Sequence, residues 1–129
     1  HGPDYLDSQE GRHLPVPHCL RGTEGWQIAA ELEALRRAPA IDKPAFGAWQ
    51  LGETLRGMHR EEPLGAVTLV GLCTDICVIS NALLAKAALP ETEVRVDAAC
   101  CAGATPQGHR TALHALAACQ VLIENDPHH

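Results

Sequence analysis

Apolar residues are unevenly spread along this chain, and the stretches where they recur with a fixed period outline its strands and helices. The sharpest is Ala66 to Val70, a run rich in Val and Leu bounded by Gly65 and Gly71. It reads as a strand buried on both faces of a parallel sheet. A helix follows almost at once: Thr74 or Asp75 can cap its N-terminus, and Val78, Leu83, Leu84 and Leu89 recur at helical spacing. Cys77 then falls in the first helical turn.

Upstream, residues 1–24 show Gly, Pro and Asp punctuation with no sustained period, which predicts a long loop of the kind that builds sites. From Gly25 to Arg37, Trp26, Ile28, Leu32 and Leu35 alternate with Glu31, Glu33, Arg36 and Arg37, the pattern of an amphipathic surface helix ended by Pro39. Ala40 to Asp42 supports at most an edge strand, and Trp49 to Arg60 reads as another helix. Downstream, Val94 and Val96 alternate with charged neighbours over Glu93 to Ala98, predicting a second strand, and Cys100 to Gly103 reads as a turn. Thr105 and Pro106 open a last helix with Leu113, Leu116 and Ala117 on its apolar face, and Gln120 to Glu124 closes as a strand. Strands alternating with helices through short links predict a three-layer α/β/α, Rossmann-like arrangement around a parallel sheet.

Composition narrows the partners. The 129 residues are 46% hydrophobic and 20% charged, without repeats or low-complexity tracts, which fits one globular domain over 1–129. A net charge of -6 weighs against a nucleic-acid groove or an anionic membrane surface and favours a small neutral or cationic ligand. No apolar run is long enough to span a bilayer and the chain opens without a leader pattern, so a cytoplasmic setting is expected. His128 and His129, after Asp126-Pro127, read as tag remnant and are set aside.

The six cysteines lie mostly in apolar segments of a chain with core enough to fold unaided, so reduced thiols are expected. Cys73 and Cys77 stand four apart and Cys100 and Cys101 are adjacent, neither being the Cys-x-x-Cys knuckle of zinc-thiolate sites. At a helix N-terminus, unpaired backbone N–H groups and the helix dipole favour an anion, which would stabilise the Cys77 thiolate. A buried cysteine of the core is the competing reading. His13, His59, His109 and His114 carry no surrounding motif and read as solvent-facing or hydrogen-bonded residues.

The run Val70-Gly71-Leu72-Cys73-Thr74-Asp75-Ile76-Cys77-Val78 resembles the nucleophile motif of the isochorismatase-like cysteine hydrolases, a family that includes nicotinamidases. Pro17-His18-Cys19 followed by Gly22-Thr23-x-Gly25 is similar to a metal-site segment of the nicotinamidase-like members. Lys43-Pro44-Ala45-Phe46-Gly47-Ala48-Trp49 resembles the family's Lys-x-x-x-Ser-Ala-Phe segment, with Gly47 for Ser and Trp49 for Phe. Pro15 stands where some nicotinamidases have a pocket Trp. The family fold begins with a strand ending in a catalytic Asp that has no counterpart in this sequence, so the resemblance implies an N-terminally truncated domain.

The resemblance implies Cys77 as nucleophile, Lys43 as a member of the catalytic triad, and an oxyanion hole from the N–H groups of Cys73 and Cys77 beside a cis peptide between Leu72 and Cys73. It further implies a pocket walled by Phe46, Trp49 and Leu72, and one divalent, zinc-like metal ion at His18 and His1. The implied activity is hydrolysis of a small amide through a thioester, nicotinamide to nicotinate and ammonia foremost, in an enzyme that self-associates. An amidohydrolase of a carbamoyl or ureido substrate, an isochorismatase-type hydrolase, and a non-catalytic small-molecule-binding domain stay open.

Overall fold

A computed structural model describes residues 1–127; His128 and His129, which the sequence reading sets aside as tag remnant, lie outside the described residues. The chain divides into two compact units, His1–Ala45 and the remainder from Phe46 on.

In the first unit, residues 1–24 are more ordered than their punctuation suggests. A 3-10 turn at Tyr5–Asp7 leads into helix α1, Gln9–His13. Ser8 caps α1, its side chain accepting from the Gly11 N–H at 3.0 Å, a local signal that a search for long apolar periods passes over. Gly11 is required there, because a Cβ would come within 1.9 Å of the Tyr5 carbonyl oxygen. The helix expected over Gly25 to Arg37 shrinks to a 3-10 turn at Glu24–Trp26 and a single-turn α2, Ala30–Glu33. Trp26, Ile28, Leu32 and Leu35 are all exposed, so no buried face rewards helix propagation. Residues 40–42 form no strand.

The second unit is built on three parallel strands in the order β1-β2-β3, with helices on both sides as expected. Helix α3, Trp49–Glu61, precedes β1, Ala66–Leu72; α4, Ile79–Ala88, joins β1 to β2, Glu93–Ala102; α5, Pro106–Ala118, leads to β3, Leu122–Glu124. Two readings of the strands need correction. β1 is not buried on both faces: Val67 and Leu69 pack on the core, while Val70 and Leu72 on the other face are exposed. The strand flanked on both edges is β2, and it carries the fully buried Val94 and Val96. The supposed turn at Cys100 to Gly103 is mostly strand, because pairing slips after Leu69↔Val96 and resumes at Gly71↔Cys101 and Leu72↔Ala102. Gly71, at φ +119°, supplies the backbone shape for that slip.

The core joins Leu55 of α3, Val78, Ala82, Ala85 and Leu89 along α4, Val94, Val96 and Ala98 of β2, and Leu113, Leu116 and Val121. Along α4 the buried stripe is therefore alanine-rich, and Leu83, expected on it, is exposed. Small residues let α3 approach closely: a Cβ on Gly52 would sit 3.5 Å from that of Ala88.

Candidate active site

Cys77 sits where the sequence places it, just past the C-terminal end of β1, but the turn carrying it is not the first turn of an α-helix. Thr74–Val78 form a π-helical turn, closed by the Val78 N–H donating to the Cys73 carbonyl at 3.0 Å, and α4 continues from it. Single π turns of this kind are frequent at functional sites. The peptide between Leu72 and Cys73 is cis, matching the expectation.

The expected caps do other work. Cys73 occupies the N-cap position without a side-chain cap bond. Thr74, fully buried, makes a 2.8 Å hydrogen bond from Oγ1 to His109 Nδ1, and the Asp75 carboxylate accepts from the Ala104 N–H at 2.9 Å. Both side chains point away from their own helix toward the opening of α5, which Thr105 caps by accepting from the Gly108 N–H at 2.9 Å. Burial pushes the Cys73 thiol pKa up, and the neighbouring Asp75 carboxylate and Cys77 sulfur act in the same direction. Burial likewise raises the Cys101 pKa, partly offset by a hydrogen bond from the Gly71 backbone.

A second brace comes from Asn81, one turn after Cys77 and buried. Its Nδ2 donates to the carbonyls of Cys77 at 2.8 Å and Phe46 at 3.0 Å, while its Oδ1 accepts from the Ala48 N–H at 2.8 Å. One amide side chain thus satisfies three backbone groups and ties the pocket candidate Phe46 to the thiol's own backbone. Phe46 is half-buried, whereas Trp49 and Leu72 are exposed. No sequence signal points to Asn81, and His109, which reads from sequence as solvent-facing or hydrogen-bonded, proves to be hydrogen-bonded to Thr74. His109 follows a helix cap by four residues, and no spacing rule links it to Thr74.

Lys43 belongs to the first unit, where it is half-buried and its Nζ donates to the Ala45 carbonyl at 3.4 Å. The same unit brings His1 and His18 together, Nε2 to Nε2, at 3.2 Å. Tyr5, itself buried, packs against both rings with centroids 4.3 and 5.1 Å away, and its hydroxyl donates to the Leu14 carbonyl at 2.9 Å. Each histidine has its Nδ1 against a carbonyl oxygen, Pro44 at 3.0 Å for His1 and Val16 at 2.6 Å for His18. With each Nδ1 turned to a carbonyl oxygen, the two Nε2 atoms are directed toward each other. Two ring nitrogens about 2.0 to 2.1 Å from a tetrahedral metal would stand at about this separation, so the pair fits two positions of a divalent site. Among the described residues no group of three or more His, Cys, Asp or Glu side chains gathers for a metal, so the pair fits part of a ligand set.

The isochorismatase domain model matches residues 2–126, which cover the thiol turn, Lys43 and His18. The chain belongs to the isochorismatase family. It is similar to a crystal structure of the nicotinamidase/pyrazinamidase PncA from Bacillus subtilis, with 27% identity, 97% of this chain and 70% of that chain covered, and a TM-score of 0.76. A pyrazinamidase from Pyrococcus horikoshii, solved in complex with zinc, is similar at 25% identity over 95% of this chain and 69% of that one, with a TM-score of 0.69. Among curated proteins, an uncharacterized isochorismatase family protein PncA of Bacillus subtilis is 35% identical over 81 residues, 57% of this chain. That match spans 43% of the curated relative's length. No helix among the described residues is long and apolar enough to cross a membrane.

Proposed function

We propose that the protein hydrolyses a small amide by covalent catalysis at Cys77, with nicotinamide to nicotinate and ammonia as the first reaction to test. The observation that carries the reading is the placement of Cys77 on a braced turn just beyond a parallel strand, where open α/β sheets bind ligands. Similarity over nearly the whole chain to structures of nicotinamidases and pyrazinamidases supports the choice of substrate.

In this mechanism Cys77 Sγ adds to the amide carbonyl carbon, and its proton passes to the aspartate that the family resemblance implies. Lys43 has the cationic role of keeping that carboxylate ionised. The negative charge on the carbonyl oxygen is taken by the N–H groups of Cys73 and Cys77. Collapse breaks the C–N bond, and ammonia leaves with the transferred proton. Water then cleaves the thioester, releasing the carboxylic acid and the free thiol. A divalent metal, when bound, supplies a fixed positive charge that orients a substrate ring nitrogen or a water, and His1 and His18 would hold it.

Ammonia release from nicotinamide tests the reading. Cys77→Ala is expected to lower turnover by about a thousand-fold or more, as loss of a catalytic nucleophile does, whereas Cys100→Ala leaves it unchanged. Turnover retained in Cys77→Ala would remove the covalent mechanism.

A further inference from the structure

The π turn carrying Cys77 is shaped from outside. Thr and Asp are among the residues best suited to cap their own helix, yet Thr74 and Asp75 bond instead to the segment that opens α5. That segment is fitted closely to the turn. A Cβ on Gly108 would come within 2.1 Å of Asp75 Oδ2, and one on Gly103 would meet the backbone N of His109 at 2.7 Å. His109 is itself fixed, its N–H donating to the Thr105 carbonyl at 2.9 Å in the first turn of a 13-residue helix. Its ring therefore approaches Thr74 from a rigid base. Thr74 is fully buried, adjoins Cys73 and stands three residues before Cys77.

From this geometry we infer that His109 is a positioning residue for the Cys77 nucleophile, acting through the Thr74 hydroxyl. The inference rests on the amide-hydrolase reading for its kinetic test alone. Without the Thr74 to His109 bond, the first residue of the turn that carries Cys77 loses its only side-chain tether among the described residues. A misplacement of about 1 Å can slow an enzyme by about a hundred-fold, so a single buried hydrogen bond at this point reaches the chemistry without touching substrate.

Thr74→Val keeps the shape of the side chain and removes the hydroxyl; Thr74→Ser keeps the hydroxyl. His109→Ala removes the ring, and His109→Asn retains a polar atom near the position of Nδ1. Each is made in the full-length protein and assayed for kcat, KM, thermal unfolding and the rate of Cys77 alkylation by iodoacetamide. Thr74→Val and His109→Ala are expected to lower kcat by about 10- to 100-fold with KM nearly unchanged, and to be no worse together than apart. Thr74→Ser and His109→Asn should restore much of the loss. The alkylation rate of Cys77 should change in the same two variants and recover in the same rescues. If the folded fraction of Thr74→Val and His109→Ala keeps wild-type kcat and alkylation rate, the bond serves stability alone and the inference is overturned. If the wild-type protein hydrolyses no amide, the functional reading fails, and alkylation still decides the positioning claim.

Discussion

The stretch from Cys73 to Ala85 and the segment from Glu24 to Arg37 begin from comparable sequence signals and end differently. Both alternate apolar and polar residues at roughly helical spacing. In the first, Val78, Ala82 and Ala85 reach the core, and Thr74, Asp75, Ser80 and Asn81 each bond to a defined partner. In the second, Trp26, Ile28, Leu32 and Leu35 stay exposed, and the helix lasts one turn, with a surface pair between Arg36 and Glu33 as its side-chain support. Periodicity becomes a long helix where the apolar face is buried, and a catalytic residue can be held accurately only there.

Substitution of leucines in the two regions is the sharpest way to break this contrast. Leu116→Ala, on the buried face of α5, should cost about 2 to 5 kcal/mol, while Leu35→Ala should stay within about 0.5 kcal/mol, as surface changes do. Urea unfolding of both variants measures the difference, and equal losses would erase it. Asn81→Ala should also cost clearly more than Leu35→Ala. It leaves the carbonyls of Phe46 and Cys77 and the N–H of Ala48 without their partner, at about 1 to 3 kcal/mol for each group that water does not reach. Faster amide exchange at Ala48 in that variant would locate the damage.

The smallest effect is a pH dependence. Cys73 and Cys101 are both raised in the folded protein, so the unfolded chain releases these protons first as pH climbs past the ordinary thiol value of about 8.5. Their contribution to stability is full below that pH and is lost as pH rises toward the folded values. Denaturation midpoints should therefore drop on the alkaline side, and Cys73→Ala should flatten the drop. Because Cys73 is kept protonated, it should also alkylate slowly at neutral pH.

Much of the second unit was legible in the chain. The Val-rich strands, the Thr105-Pro106 helix opening and the parallel alternation follow from local rules that the structure obeys. Cys77 was visible because a strand end, a tight turn and a helix fall within a few residues of one another. Burial was harder to read. The run from Ala66 to Val70 looks two-sided, but which face is covered depends on layers that period alone does not specify. The π turn was out of reach as well, since Thr74 and Asp75 are ordinary caps until α5 arrives to take their side chains. Asn81 and His109 owe their roles to contacts 33 to 35 residues away along the chain, and no short-range pattern encodes these. The Tyr5 packing that holds His1 against His18 is hidden in the same way within residues that read as loop.

The central claim is that Cys77 forms a thioester with the acyl half of a small amide. Rapid acid quench of the protein during turnover of nicotinamide, followed by mass mapping of its peptides, tests this directly. The account predicts a nicotinoyl group on the peptide carrying Cys77, present only while substrate lasts and missing in Cys77→Ala. Steady ammonia release with that peptide unmodified at every quench time, or the acyl group on Cys73 or Cys101 instead, would contradict it.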